Sequence, residues 1–323
     1  VSIQTMIAGA RQEKAGAAEE TGREERACKA EREDEAKRAG EDDTVDETQR
    51  AAKRERAGEP GKAGDATRVL PLWSNDAELT ARNLGFTYDG AHEIFEALHA
   101  VSFEVSGFTK VGIIGASGAG KSTLINLLAG FSEPSAGILH VNGAPVCSLK
   151  RPDWQEQIAL LPQNPYIFHA TLRENLVFYH PEASDAEVQQ AVAVVDLEDL
   201  IAELPQGLDT RIGEGARALS GGQAQRVALA RVCLDTRRRI LLFDEPTAHL
   251  DIETELELKQ RMLALTQEKL VFFATHRLHW MQNMDLIWVL DGGTIVESGT
   301  FEELRARGGY FTSLVRQLEG GAA

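Results

Sequence analysis

At 323 residues with a 43% hydrophobic share, the chain is long enough to bury one large core or two small ones. A formal net charge of -16 excludes sequence-independent attraction to nucleic-acid phosphates, which needs a positively charged face. No run approaches the roughly 18–20 apolar residues of a membrane span, and Cys28, Cys147 and Cys233 form no CxxC pair, so neither a zinc site nor a disulfide framework is expected and the thiols fit a reducing cytoplasm.

Val1 in place of a methionine, with no signal-peptide pattern near it, reads as a piece of a longer protein. From about Gly9 to Asp65 the sequence is nearly all Ala, Gly, Glu, Asp, Lys and Arg with interleaved charges, a composition that cannot build a core. A lone charged helix over Arg11 to Arg38 has no apolar a/d stripe for a coiled coil, so residues 1–75 are expected to be a charged, disordered linker, with a regulatory or docking arm as the alternative. Composition changes near Val69 to Trp73, and residues 76–320 are expected to fold. Strands are expected at Leu79–Tyr88, Leu98–Val105, Lys110–Ile114, Ile240–Asp244, Leu270–Thr275, Leu286–Leu290 and Thr294–Glu297, with helices after Lys121, Asp185, Gly222, Thr254 and Thr300. This alternation predicts an α/β fold, a sheet covered by helices.

The run Gly115-Ala116-Ser117-Gly118-Ala119-Gly120-Lys121-Ser122, with Thr123 after it, lies between an apolar strand and a helix-prone segment, the context of a P-loop. Glycines let the backbone curl so that amides face phosphates, Lys121 reaches the β/γ oxygens, and the Ser122 hydroxyl can ligate Mg²⁺. Farther on, Ile240 to Phe243 lead into Asp244 and Glu245, paired carboxylates at a strand end that need a cation or a proton. Asp244 is assigned to Mg²⁺ through water and Glu245 to the attacking water as general base.

P-loop kinases, GTPases and helicases share those parts; Leu219-Ser220-Gly221-Gly222-Gln223 narrows the choice, because it resembles the signature of ABC ATPases. Ser220 can cap the following helix while the glycines bare its amides, giving a second phosphate-binding end. The resemblance implies an ABC-type P-loop core with an antiparallel β subdomain and a helical subdomain, binding ATP and Mg²⁺. It also implies a head-to-tail dimer in which the signature of one subunit closes on the nucleotide of the other. It places Tyr88 on adenine, Gln163 on Mg²⁺, the lytic water and the transmembrane partner, Asp251 between the two sites, and His276 on the γ-phosphate. His249 holds a place often given to a smaller residue, as a harmless variant or as a cross-interface hydrogen bond.

Leu204 to Thr210, followed by Gly213-Glu214-Gly215, resembles the exporter pattern. The texture at Gly130-Phe131, Gln163-Asn164-Pro165, Gly222 to Val227, Thr275 to Leu278 and Ile287-Trp288-Val289 resembles the CydD half of the heterodimeric CydDC exporters. That likeness implies a membrane domain of the same half, a CydC-like partner, a place on the cytoplasmic face of the inner membrane with a soluble isolated fragment, and export of cysteine, glutathione or haem-related cargo in support of cytochrome bd assembly. Other exporter cargoes (lipid, drug, peptide) are the alternative. A DNA-repair type of ABC ATPase would need a long coiled coil before the signature, and none is encoded; a translation-factor type would carry two cassettes. An ATP-binding-only module is opposed by Glu245 and the intact signature.

Overall fold

The computed structural model describes residues 22–30, 69–89, 94–213, 215–248 and 250–320. At its centre is a six-stranded sheet of β3 (Lys110–Gly115), β6 (Ile158–Leu161), β9 (Ile240–Asp244), β10 (Leu270–Ala274), β11 (Leu286–Asp291) and β12 (Thr294–Gly299), ordered β12-β11-β3-β10-β9-β6. All neighbours are parallel except the edge pair β11–β12. Continuous apolar runs explain the middle: every residue of β9 and β10 is buried, as strands covered on both faces require.

Register positions the chemistry. Ala274 pairs with Ile113 on one side and with Asp244 on the other, so the chain leaves β3, β9 and β10 at one sheet edge, at the carboxyl ends where ligands of open α/β sheets bind. Helix α2 (Lys121–Leu128) follows β3 directly.

A four-stranded antiparallel sheet, β2-β1-β4-β5, is made of β1 (Glu78–Asp89), β2 (Ile94–Ser106), β4 (Ala136–Val141) and β5 (Ala144–Val146). Its buried side chains join those of one face of the central sheet in a single core. Short α3 (Pro152–Gln155) buries Trp154, whose indole meets Trp73 edge-on at 6.1 Å and donates to Leu128 O at 2.8 Å. The backbone amides of Leu70 and Trp73 donate to the side chains of Asp153 and Gln157, tying the segment where the composition changes to α3 and the turn after it.

Between β6 and β9 lies a helical region of α4 (Leu172–Leu176), α5 (Asp185–Val194), α6 (Glu198–Glu203) and α7 (Gly221–Leu234), with the small β7–β8 pair (Ala170–Thr171, Arg211–Ile212). Capping boxes at Thr171, Ser184 and Ser220 start α4, α5 and α7. Helices α8 (Ile252–Leu265), α9 (Phe301–Arg307) and α10 (Tyr310–Gly320) complete the chain. The strands and helices read from periodicity are all present, while the short elements β4 to β8, α3, α4 and α6, and the last helix α10, were not foreseen. Four residues of β6 are too few to display a period.

Two readings of the first zone need correction. Residues 22–30 form a helix, α1, and Cys28 on it is only 3% exposed. Cys28 is disulfide-bonded to Cys147, just past β5, across 119 residues, so two of the three cysteines are paired after all. The Glu24 carboxylate lies 3.1 Å from His140 Nε2 on β4, a second tie between α1 and the antiparallel sheet. Pairing over such a separation leaves no local spacing signal, which is why cysteine arithmetic missed it. The other residues expected in the linker lie outside the described residues up to position 68, as do Glu214 and His249.

Candidate functional site

The backbone between β3 and α2 takes positive φ at Gly118 (80°) and Gly120 (99°). A side chain at Gly120 would meet Ala97 O at 2.9 Å and the Leu98 side chain at 2.7 Å, so this turn requires glycine. The N-terminus of α2 has neither a side-chain cap nor an acidic residue in its first turn. Its free amides and positive dipole end therefore face the cleft, the standard provision for a phosphate.

One cleft gathers Ser117, Gly118, Gly120, Lys121, Ser122 and Thr123 with Gln163, Glu245 and His276, walled by Phe95 and Ala97 of β2. Lys121 Nζ donates to Gly115 O (2.9 Å) and Ala116 O (3.1 Å) and lies 4.0 Å from Glu245 Oε1. Gly115, Ala116 and Ala119 thus form the frame of the loop, and Ala119 O accepts the amide of Gly293. Ser122 Oγ donates to Asp244 Oδ1 at 3.0 Å. Two hard oxygen donors side by side at the foot of an anion-binding helix fit Mg²⁺. Burial, with the neighbouring Glu245 charge adding to it, pushes the Asp244 carboxyl above the usual carboxylate range against the Ser122 hydrogen bond. Burial lowers Lys121, opposed by Glu245 and Asp244. A divalent cation would offset the crowding of two carboxylates.

Glu245 occupies a left-handed backbone conformation, φ 48°, a strain of about 1–3 kcal/mol that functional sites tolerate. Its amide donates to Ala274 O at 2.8 Å, turning the carboxylate into the cleft. Glu245 Oε2 accepts from Thr275 Oγ1 (3.2 Å) and lies 2.9 Å from His276 Nδ1. Glu245 and His276 are therefore held by adjacent loops of neighbouring parallel strands.

Tyr88, at the end of β1, is 44% exposed, packs edge-on against Phe86 and reaches Thr123 Oγ1 at 3.2 Å, beside the cleft. Asp251 caps α8 through Thr254 N (2.9 Å) and Thr254 Oγ1 (2.8 Å). Ser220, Gly221, Gly222 and Gln223 start α7 away from the cleft, and none of them lines it. Ser220 and Gln223 form a reciprocal capping box.

Sequence reasoning missed Arg231 on α7. Its guanidinium bonds Asn175 O, Asn175 Oδ1 and Tyr166 O at 2.7–2.8 Å and lies over the Phe168 and Phe178 rings. Burial lowers its pKa to about 10, so it stays charged at neutral pH. It fastens α7 to the segment that follows Gln163. An arginine inside the apolar run Val227 to Leu234 was the available signal.

Comparison with known proteins decides among P-loop families. The family described as ABC transporter matches residues 98–248, from β2 through the P-loop and signature to the Asp244–Glu245 strand end. The chain carries an ABC transporter ATP-binding domain. It is 50% identical over 262 residues to the glutathione/L-cysteine transport system ATP-binding/permease protein CydC of Bacillus subtilis (strain 168), covering 81% of this chain and 45% of that protein. It is 37% identical to the β-(1→2)glucan export ATP-binding/permease protein NdvA of Agrobacterium fabrum, covering 80% and 42%. A solved bacterial Atm1-family ABC exporter with ATP bound superposes with TM-score 0.69 at 35% identity, covering 79% of this chain and 44% of that one. The chain thus spans less than half the length of these relatives. Among the described residues, no helix is long and apolar enough to cross a membrane. The ATP-binding domain is an ATPase that uses ATP with Mg²⁺.

Proposed function

We propose that this domain powers one half of a Cyd-type exporter, coupling ATP hydrolysis to export of a small thiol such as cysteine or glutathione. The 50% identity to the Bacillus glutathione/L-cysteine protein carries this reading. That relative's printed name favours the CydC half over the CydD half that the texture at Gly130-Phe131 and Ile287-Trp288-Val289 suggests; in either case the complementary half is the partner. A different cargo is the second reading, favoured by the 37% identity to a glucan exporter.

In the cleft, Glu245 takes the proton of the attacking water, His276 and Gln163 orient it, and Lys121 stabilises the charge that develops on the γ-phosphoryl oxygens. Mg²⁺, when bound beside Ser122 and Asp244, neutralises β- and γ-phosphate charge. Tyr88 stacks on the adenine. The signature end Ser220–Gln223 completes the site of a second domain placed head to tail, with Asp251 beside that interface. A membrane domain of the same half receives the motion near Gln163, at the cytoplasmic face of the membrane.

The test is ATP-dependent uptake of labelled cysteine and glutathione into inside-out vesicles holding the whole transporter with its partner half. Accumulation of either thiol is expected. Hydrolysis without thiol uptake would move the proposal to another cargo, and absence of ATP binding would end the reading of the cleft.

A further inference from the structure

The most deeply buried carboxylate on α8 takes no part in the chemistry described above. Glu255 is 0% exposed, in the first turn of that helix. A buried carboxylate is costly unless its oxygens are hydrogen-bonded or paired with a cation, and both oxygens here are. Oε1 accepts from Thr247 Oγ1 and from Trp280 Nε1, each at 2.6 Å. Oε2 pairs with the Arg277 guanidinium. Arg277 also donates through Nη2 to Leu250 O at 3.1 Å and through its amide to Thr275 Oγ1 at 3.0 Å. Thr275 Oγ1 in turn donates to the Glu245 carboxylate at 3.2 Å. On the far side, Gln225 of α7, 1% exposed, donates to Pro246 O at 2.7 Å.

These contacts form one unbroken set. It starts at the general base, passes along the segment after β10, turns at Glu255, and returns to residues 246–251 between the base and α8. Those residues are also bonded to the helix that begins with the signature. We infer that Glu255 is a positioning residue, which locks the 246–251 segment to the 275–277 segment so that Glu245 and His276 reach hydrolytic geometry together. It does not line the cleft, and it acts through Arg277 and Thr247. Two loops with separate freedom would each have to find their position, whereas a shared buried anchor fixes both at once.

This inference rests on the ATPase reading of the cleft, and its test includes a measurement that needs no turnover. Glu255→Gln keeps size and one acceptor but loses the charge facing Arg277; Thr247→Val removes only the bond to the 246–251 segment. In the full chain with its partner half, Glu255→Gln is expected to lower kcat at least tenfold with KM for ATP within twofold of wild type. Thr247→Val is expected to lower kcat about threefold with an unchanged melting temperature. Amide hydrogen exchange without nucleotide should accelerate in residues 246–251 and 275–279 together, at least tenfold in Glu255→Gln. Unchanged kcat in both variants, exchange that rises in one segment only, or a kcat loss matched by lost ATP binding would overturn the positioning role. If wild type itself fails to hydrolyse ATP, the cleft reading falls, and the paired exchange response still decides whether Glu255 couples the two segments.

Discussion

The N-termini of α2 and α7 both carry a glycine at their start, Gly120 as the cap of α2 and Gly221 as the first residue of α7, yet they differ in what surrounds them. Around α2, three parallel strands deliver Lys121, Glu245 and His276 to one cleft, with Asp244 behind Ser122, so these groups lie in a single chain. Around α7, Ser220 and Gln223 satisfy each other, and none of residues 220–223 lines the cleft. In the proposed head-to-tail arrangement, the α7 end would meet the lysine, the carboxylates and the histidine in the α2 cleft of another copy or partner.

Separating the two ends experimentally should give unequal effects. Lys121→Ala removes the cationic centre of the α2 cleft, and ATP affinity should fall about 100-fold, equivalent to about 3 kcal/mol. Retained affinity in a fluorescent-nucleotide titration would mean that phosphates sit elsewhere. Arg231→Leu removes three hydrogen bonds between α7 and the Tyr166–Asn175 segment and should cost about 3 kcal/mol in urea unfolding. If the comparison is right, nucleotide affinity of the remaining folded protein changes less than twofold, because α2 does not depend on α7; a parallel loss of affinity would join the two ends into one structural unit.

Reducing the Cys28–Cys147 bond, or replacing Cys28 by Ser, should lower unfolding free energy by about 2–4 kcal/mol, since the bond closes a loop of 119 residues. Both ends should keep their nucleotide behaviour, because α1 contacts the antiparallel sheet and not the cleft. An unchanged melt would show that the docked helix adds nothing. The smallest stability effect belongs to Ser220→Ala, about 1 kcal/mol for a lost N-cap. Its activity signature is distinctive: binding at the α2 cleft is retained while turnover of the paired domains falls. Equal loss of binding would place Ser220 in its own chain's cleft.

Much of this was readable in the sequence where chemistry forces a local pattern. Gly118 and Gly120 must be glycines because of their positive φ, Lys121 and Ser122 must follow them, and continuous apolar runs such as Ile240–Phe243 announce buried parallel strands. What escaped was tertiary. Glu255 reads as an ordinary acidic residue of a charged helix face, and only the approach of Thr247, Arg277 and Trp280 gives it meaning. Arg231 and the Cys28–Cys147 pair likewise acquire partners from distant segments, and a charged N-terminal stretch concealed the helix that brings Cys28 home. The left-handed conformation of Glu245 has no residue-type signal either, since glutamate seldom adopts it.

The most direct test of the account is Glu245→Gln, assayed for MgATP binding and for phosphate release side by side with wild type. Turnover should fall by about 10²–10⁴-fold, the range expected for loss of a positioned base, while MgATP still binds with wild-type affinity. Hydrolysis at an unchanged rate would contradict the assignment of the cleft's chemistry to this carboxylate.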